Sequence, residues 1–218
     1  YFPEEYKFHF NGHNLVVYGK ENDSYLISDP VMEKTTVLTE SELEKVRFSK
    51  GVLAPKGHLY YPESIPEELN FEKAIKQAIK KTCRDMLAPV PIVGVRGIRM
   101  VAKRIKKWPA KIGNAKTNYF LAQMVRMQEE IGTGGGGFRY IYAAFLQESS
   151  VKLNRPELND FAIEISEIGD KWRDFAVNAS RVYKKRSNTQ DIYNVISNQL
   201  LELADLEESF FKRLRKII

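Results

Sequence analysis

The spacing of apolar residues changes once along this chain, and that change divides it in two. Through residues 1–66 the apolar residues come in short β-prone runs between turn formers, while from Phe71 onward they recur every three or four positions. Leu15 to Tyr18 (LVVY) ends at Gly19, a polar stretch Lys20 to Ser24 follows, and Tyr25 to Ser28 (YLIS) closes at Asp29-Pro30. Two β-prone runs around a turn-rich spacer predict a hairpin. Thr35 to Leu38 is a candidate third strand and Gly57 to Tyr61 a candidate last one. Between them, Thr39 with Glu42 three residues on has the spacing of a capping box, opening a short helix that carries Leu43, Val46 and Phe48. Pro62, Pro66 and their acidic neighbours read as a linker.

The second part is helical throughout. Phe71 to Met86 forms one helix, broken at Pro89-Val90-Pro91. Val95, Ile98, Val101, Ala102, Ile105 and Trp108 make an apolar stripe among Arg96, Arg99, Lys103, Lys106 and Lys107, an element ended by Pro109 and Gly113. Ala115 to Ile131 is the next helix. After the glycines of 132–137, the apolar stretch Phe138 to Val151 suits a buried central helix, with Phe138, Tyr142 and Phe145 at core spacing. Two long helices follow, near Pro156 to Lys185 and Thr189 to Lys216. A strand-rich piece followed by a helical piece gives an α+β class with two domains, residues 1–66 and 67–218.

Charge is distributed as unevenly as structure. The 218 residues carry a net +6, yet Lys73 to Lys111 holds twelve Lys or Arg against one acid, Asp85. Such a field attracts an acidic partner or an anionic ligand, and nucleic acid, an anionic membrane surface and an acidic carrier protein all qualify on charge alone. A plain solvated face fits the same charges. The basic residues have no interleaved aromatics and belong to no known nucleic-acid module, so nucleic acid is not expected. The single cysteine, Cys83, excludes an internal disulfide and any multi-cysteine metal site. No metal and no cofactor are expected. Cys83 sits mid-helix, where a lone cysteine is read as a small core residue. No window approaches the roughly 18 apolar residues of a membrane span, and a cytoplasmic setting is the default. Tyr1 stands inside sequence that already reads as structured, which predicts a further segment upstream.

Chemistry is most specifically signalled at His13 and Asp29. A histidine entering one strand and an aspartate leaving its antiparallel neighbour are brought side by side by a hairpin. In that geometry a carboxylate orients an imidazole that activates a nucleophile. The same spacing also fits a surface histidine at a strand end beside an ordinary Asp-Pro turn. His9 and Asn11, just upstream in HFNGH, are substrate-binding candidates. So are Gly135, Gly136 and Arg139, where a glycine run leads into a helix whose first-turn amides and arginine would favour an anion. No Lys-Ser or Lys-Thr follows the glycines, so this is not a Walker loop. A close-packed connection between two helices fits equally.

Residues 1–66, above all YFPEEYKFHFNGHNLVVYGKENDSYLISDP, resemble the second half of the N-terminal domain of the butirosin biosynthesis protein H family. The helical part, through IGTGGGGFRYIYAAFLQE and the region of Trp172, resembles the domain of unknown function that usually follows it. The resemblance implies a partial papain-like, cysteine-peptidase fold followed by an all-α domain. It also implies a Cys-His-Asp triad in which His13 is the base and Asp29 orients it, the cysteine lying upstream. The activity implied is acyl transfer from a carrier-protein thioester to a small-molecule amine, as in antibiotic biosynthesis, with an acidic acyl carrier protein docking on the basic segment 73–111. Two rivals stand beside it: a cysteine peptidase or amidase with the same triad, and a non-catalytic module recruiting an acidic partner. The long C-terminal helices leave a homodimer open.

Overall fold

A computed structural model describes residues 13–30, 32–51, 54–130, 133–184 and 190–218. The chain divides into two compact units between Glu67 and Glu68, and it is an α+β protein with a helical domain.

In the first unit, β1 (Val16–Glu21) and β2 (Ser24–Ser28) form a hairpin, and β3 (Thr36–Thr39) pairs antiparallel with β2. The hairpin turn is the pair Asn22-Asp23, with φ of 45° and 62°. Left-handed backbone at both central positions gives the turn whose twist matches that of paired strands, and Asn and Asp tolerate it better than most residues. The register slips between Val17 and Gly19, a bulge that leaves Tyr18 exposed. Helix α1 (Glu40–Arg47) starts directly at the end of β3. Thr39 is both the last strand residue and the N-cap: Glu42 accepts from the Thr39 amide at 2.9 Å and returns its own amide to the Thr39 hydroxyl. The capping box is therefore formed. One sheet face carries Ile27 and Leu38, which pack with Leu43 of α1 and, at the margin, Leu15 and Tyr25. The other face leaves Val16 and Val37 open.

Residues 57–61 do not form a strand. Leu59, Tyr60 and Tyr61 are two-thirds or more exposed. Their β-prone side chains have no partner strand among the described residues, and propensity without pairing does not make a strand.

The second unit is built of α2 (Phe71–Met86), α3 (Gly94–Ile105), α4 (Trp108–Glu129), α5 (Arg139–Leu153), α6 (Glu157–Tyr183) and α7 (Gln190–Lys216). Asn70 caps α2, accepting from the Lys73 amide at 2.9 Å. Pro109, expected to close the α3 element, instead opens α4. Proline suits a first helical turn, where its missing N–H would have no partner anyway. Gly113, at φ 77° and ψ 159°, then kinks α4 after one turn.

The central element is α6 rather than α5. It packs on α4, α5 and α7, while α7 also carries α2 and α3. Its buried residues, from Leu158 through Ile165, Trp172 and Phe175 to Val182, recur every three or four positions over the whole length. In α5 only Ala143, Leu146 and Ser149 are buried, and Phe138 and Ile141 are exposed. No helix among the described residues is long and apolar enough to cross a membrane.

Candidate functional site

The hairpin register pairs Val16 with Ser28, so the residue after β2 comes level with the residues just before β1. That brings His13 and Asp29 together across 16 residues of chain. His13 Nε2 lies 2.8 Å from Asp29 Oδ1 and 2.9 Å from Oδ2. The Asp29 side chain is fully buried, whereas the His13 ring keeps about a quarter of its surface, 24%, in solvent. An ionised carboxylate only accepts hydrogen bonds, so Nε2 must donate and the lone pair of the neutral ring falls on Nδ1. A carboxylate fixed in this way sets the tautomer and stabilises the imidazolium that forms when Nδ1 takes a proton. Burial makes the arrangement demanding, because a carboxylate removed from water needs its partners. His9 and Asn11 lie outside the described residues.

The glycine run is organised differently. Gly134, Gly135, Gly136 and Gly137 all adopt positive φ, and so does Phe138 at 72°. Glycine is required most clearly at Gly136. A Cβ there would lie 3.0 Å from the Tyr140 ring and 3.3 Å from the backbone of Gly169 on α6. The polar groups of this loop meet the chain's own side chains. The Gly135 amide donates to Thr133 Oγ1 at 3.2 Å, and the Gly136 amide donates to both Glu129 oxygens at 3.2 and 3.3 Å. Arg139 points inward, its Nε 2.8 Å and its Nη2 2.6 Å from Glu207 Oε1. The same oxygen accepts from the Trp172 indole at 2.7 Å, and the Arg139 guanidinium lies 4.9 Å over the Trp172 ring. Trp172 is thus a packing anchor with a polar duty.

Glu207 was missed in the sequence, although a signal was present. It falls on the apolar stripe Leu203, Ala204, Phe210, Phe211, Leu214 of α7, and it is fully buried. A charge in the middle of a core stripe implies a buried partner. Its partner in sequence, 68 residues away, carried no such mark.

Cys83 is fully buried in the helical core. Burial pushes its thiol up to about 11, with Arg215 opposing weakly, the reverse of what activates a cysteine nucleophile. Among the described residues no cluster of His, Cys, Asp and Glu could hold a metal ion.

Two family models match the chain. Residues 1–30, which include both His13 and Asp29, match the model described as Butirosin biosynthesis protein H, N-terminal. Residues 41–214 match the model described as Domain of unknown function (DUF4872), which begins inside the small unit at α1 and runs nearly to the end of α7. No curated protein matches the chain. Because the second match spans far more than half of the residues, the chain belongs to the DUF4872 family, with an N-terminal segment similar to that of Butirosin biosynthesis protein H.

Proposed function

We propose that this chain supplies the histidine and the aspartate of a Cys-His-Asp acyl-transfer centre that moves an acyl group from a carrier-protein thioester to an amine. One observation carries the reading: a part-exposed His13 ring held through Nε2 by both oxygens of the buried Asp29 carboxylate. The similarity of residues 1–30 to the N-terminal part of Butirosin biosynthesis protein H supports it. Cys83, buried and hard to ionise, is unfit as the nucleophile, so the reading calls for a cysteine from outside these 218 residues.

In the first step His13 Nδ1 takes the proton of that cysteine, and the thiolate attacks the thioester carbonyl carbon. The carrier thiol leaves with the proton from the imidazolium, and the acyl group stays on the cysteine. The amine then attacks this second thioester, its proton passes to Nδ1, and the cysteine sulfur leaves to be reprotonated from the imidazolium. Asp29 keeps the ring in the required tautomer throughout. The basic segment 73–111 fits the docking of an acidic carrier. Substrate binding by Gly135, Gly136 and Arg139 is no part of the proposal, since their polar groups already meet Thr133, Glu129 and Glu207.

The test is intact-mass measurement of the protein together with its cysteine-bearing segment, incubated with an acyl-carrier thioester. A covalent adduct of the acyl mass is expected, and His13→Ala should slow its formation on the order of 10²–10⁴-fold. An unchanged rate removes His13 from the mechanism. Turnover of a peptide or amide, with no adduct from any thioester, assigns the centre to a hydrolase instead.

A further inference from the structure

The cations of residues 73–111 are not equivalent. On α2 they are partly neutralised within the helix: Lys76 pairs with Glu72, and Lys81 and Arg84 pair with Asp85. Helix α3 contains no acid at all. Its Arg99 turns toward α7 and is matched twice, by Asp205 at 2.5 Å and Glu208 at 2.6 Å. Lys103 and Arg104 are exposed and, among the described residues, make no ion pair. With Arg96, also exposed, they lie within about 100° of arc on the outer side of α3 and span about 12 Å of its axis. The inner side, Val95, Ala102 and Ile105, is buried in the bundle.

An apolar strip runs between these cations. Pro91, half-buried Met100 and the stems of Arg96, Arg99, Lys103 and Arg104 line a shallow groove of about 400 Å3. Ile92 stands 70% exposed just ahead of α3. An apolar floor inside a charged rim is the layout of a protein interface, and a methionine in the floor adapts to an incoming side chain.

We propose that the outer face of α3, from Ile92 to Arg104, docks an acidic amphipathic helix of a protein partner. Rim carboxylates spaced one and two turns apart would meet Arg96, Lys103 and Arg104, and an apolar residue between them would enter the Met100 groove. The inference rests on the acidic partner expected in the proposed function, and it assigns the contact to α3 rather than to α2, whose five cations share their helix with Glu72 and Asp85. Un-neutralised like charges kept close together gain from a partner that neutralises them, and such rims act mainly on association rate and register.

The test reads binding alone, so it can fail while the His13–Asp29 chemistry stands, or stand while that chemistry fails. The probe is a fluorescent helical peptide with glutamates one and two turns apart beside a leucine stripe, titrated with the full chain. The chain is expected to bind it. The triple reversal R96E/K103E/R104E is expected to weaken binding at least about tenfold. The same charge change on α2, K73E/K76E/K80E, should weaken it less than about threefold, in line with screened long-range attraction. The neutral pair K103Q/R104Q, checked for an unchanged thermal melt, serves should the reversal fail to fold. Ile92→Ser should weaken binding severalfold without changing its salt dependence. Equal losses from both helices would reduce the effect to net charge and overturn the proposal, as would absence of peptide binding. Phosphatidylglycerol vesicles binding through the same α3 cations, with the peptide ignored, would make the face a lipid surface and equally overturn it.

Discussion

Among the described residues two carboxylates are buried, and each lies against a nitrogen-bearing side chain. Asp29 faces an imidazole that keeps part of its ring in water, whereas Glu207 faces a guanidinium and an indole inside a helical bundle. The difference lies in what the partner can do. Imidazole gains and loses a proton near neutral pH, while guanidinium stays charged under all ordinary conditions. The first pair can therefore take part in a reaction, and the second can only hold. Burying a carboxylate is not itself a mark of catalysis. A titratable partner open on one side is the more informative sign.

Removing Glu207 should have the largest effect on the molecule. Glu207→Ala leaves Arg139 half enclosed without its counter-charge and strips the Trp172 indole of its acceptor. A loss of about 3–5 kcal/mol is expected, seen as a thermal midpoint lowered by about 10 °C, with no change in the chemistry at His13. A melt unaffected by the substitution would erase the contrast between the two carboxylates. Asp29→Ala should do the opposite. Acyl transfer should fall at least about 100-fold, while the melt of the helical unit stays put, because His13 can rehydrate from its open side. Asp29→Asn, which still offers an oxygen to the ring N–H, should retain more activity than Asp29→Ala. Equal activity of the two variants would mean that ring orientation matters little. The smallest effect is expected from Gly136→Ala, which meets Tyr140 and Gly169 and must hold a φ of 55°. A cost of about 1–2 kcal/mol, read by denaturant titration, would sharpen the view that the loop is a structural clamp.

Local physics was legible in the sequence, and long-range pairing was not. Leu15 to Ser28 announced the hairpin through two β-prone runs, and Asp29 at its exit met His13 because a hairpin register is fixed by its turn. Thr39 and Glu42 announced a helix start that formed as read. Gly57 to Tyr61 had strand-like composition but found nothing to pair with among the described residues. At Pro109 a helix breaker was read where the chain uses a helix starter, since the residue type permits both. Arg139 looks available to a ligand because its partner lies 68 positions away, and only the packing of both α5 and α7 on α6 brings Glu207 to it.

The Asn22-Asp23 turn has a consequence for the order of assembly. Hairpins close in roughly 1–10 μs, and the strand register that brings His13 level with Asp29 lies within one short stretch of chain. The Arg139–Glu207 pair must wait until distant helices have met, because contacts far apart in sequence are entropically slow to close. The His–Asp pair is therefore a cassette: residues 13 to 29 carry both partners, the register that aligns them and the turn that sets the register. Its register is settled by local closure, ahead of the long-range helical contacts that bring Glu207 to Arg139.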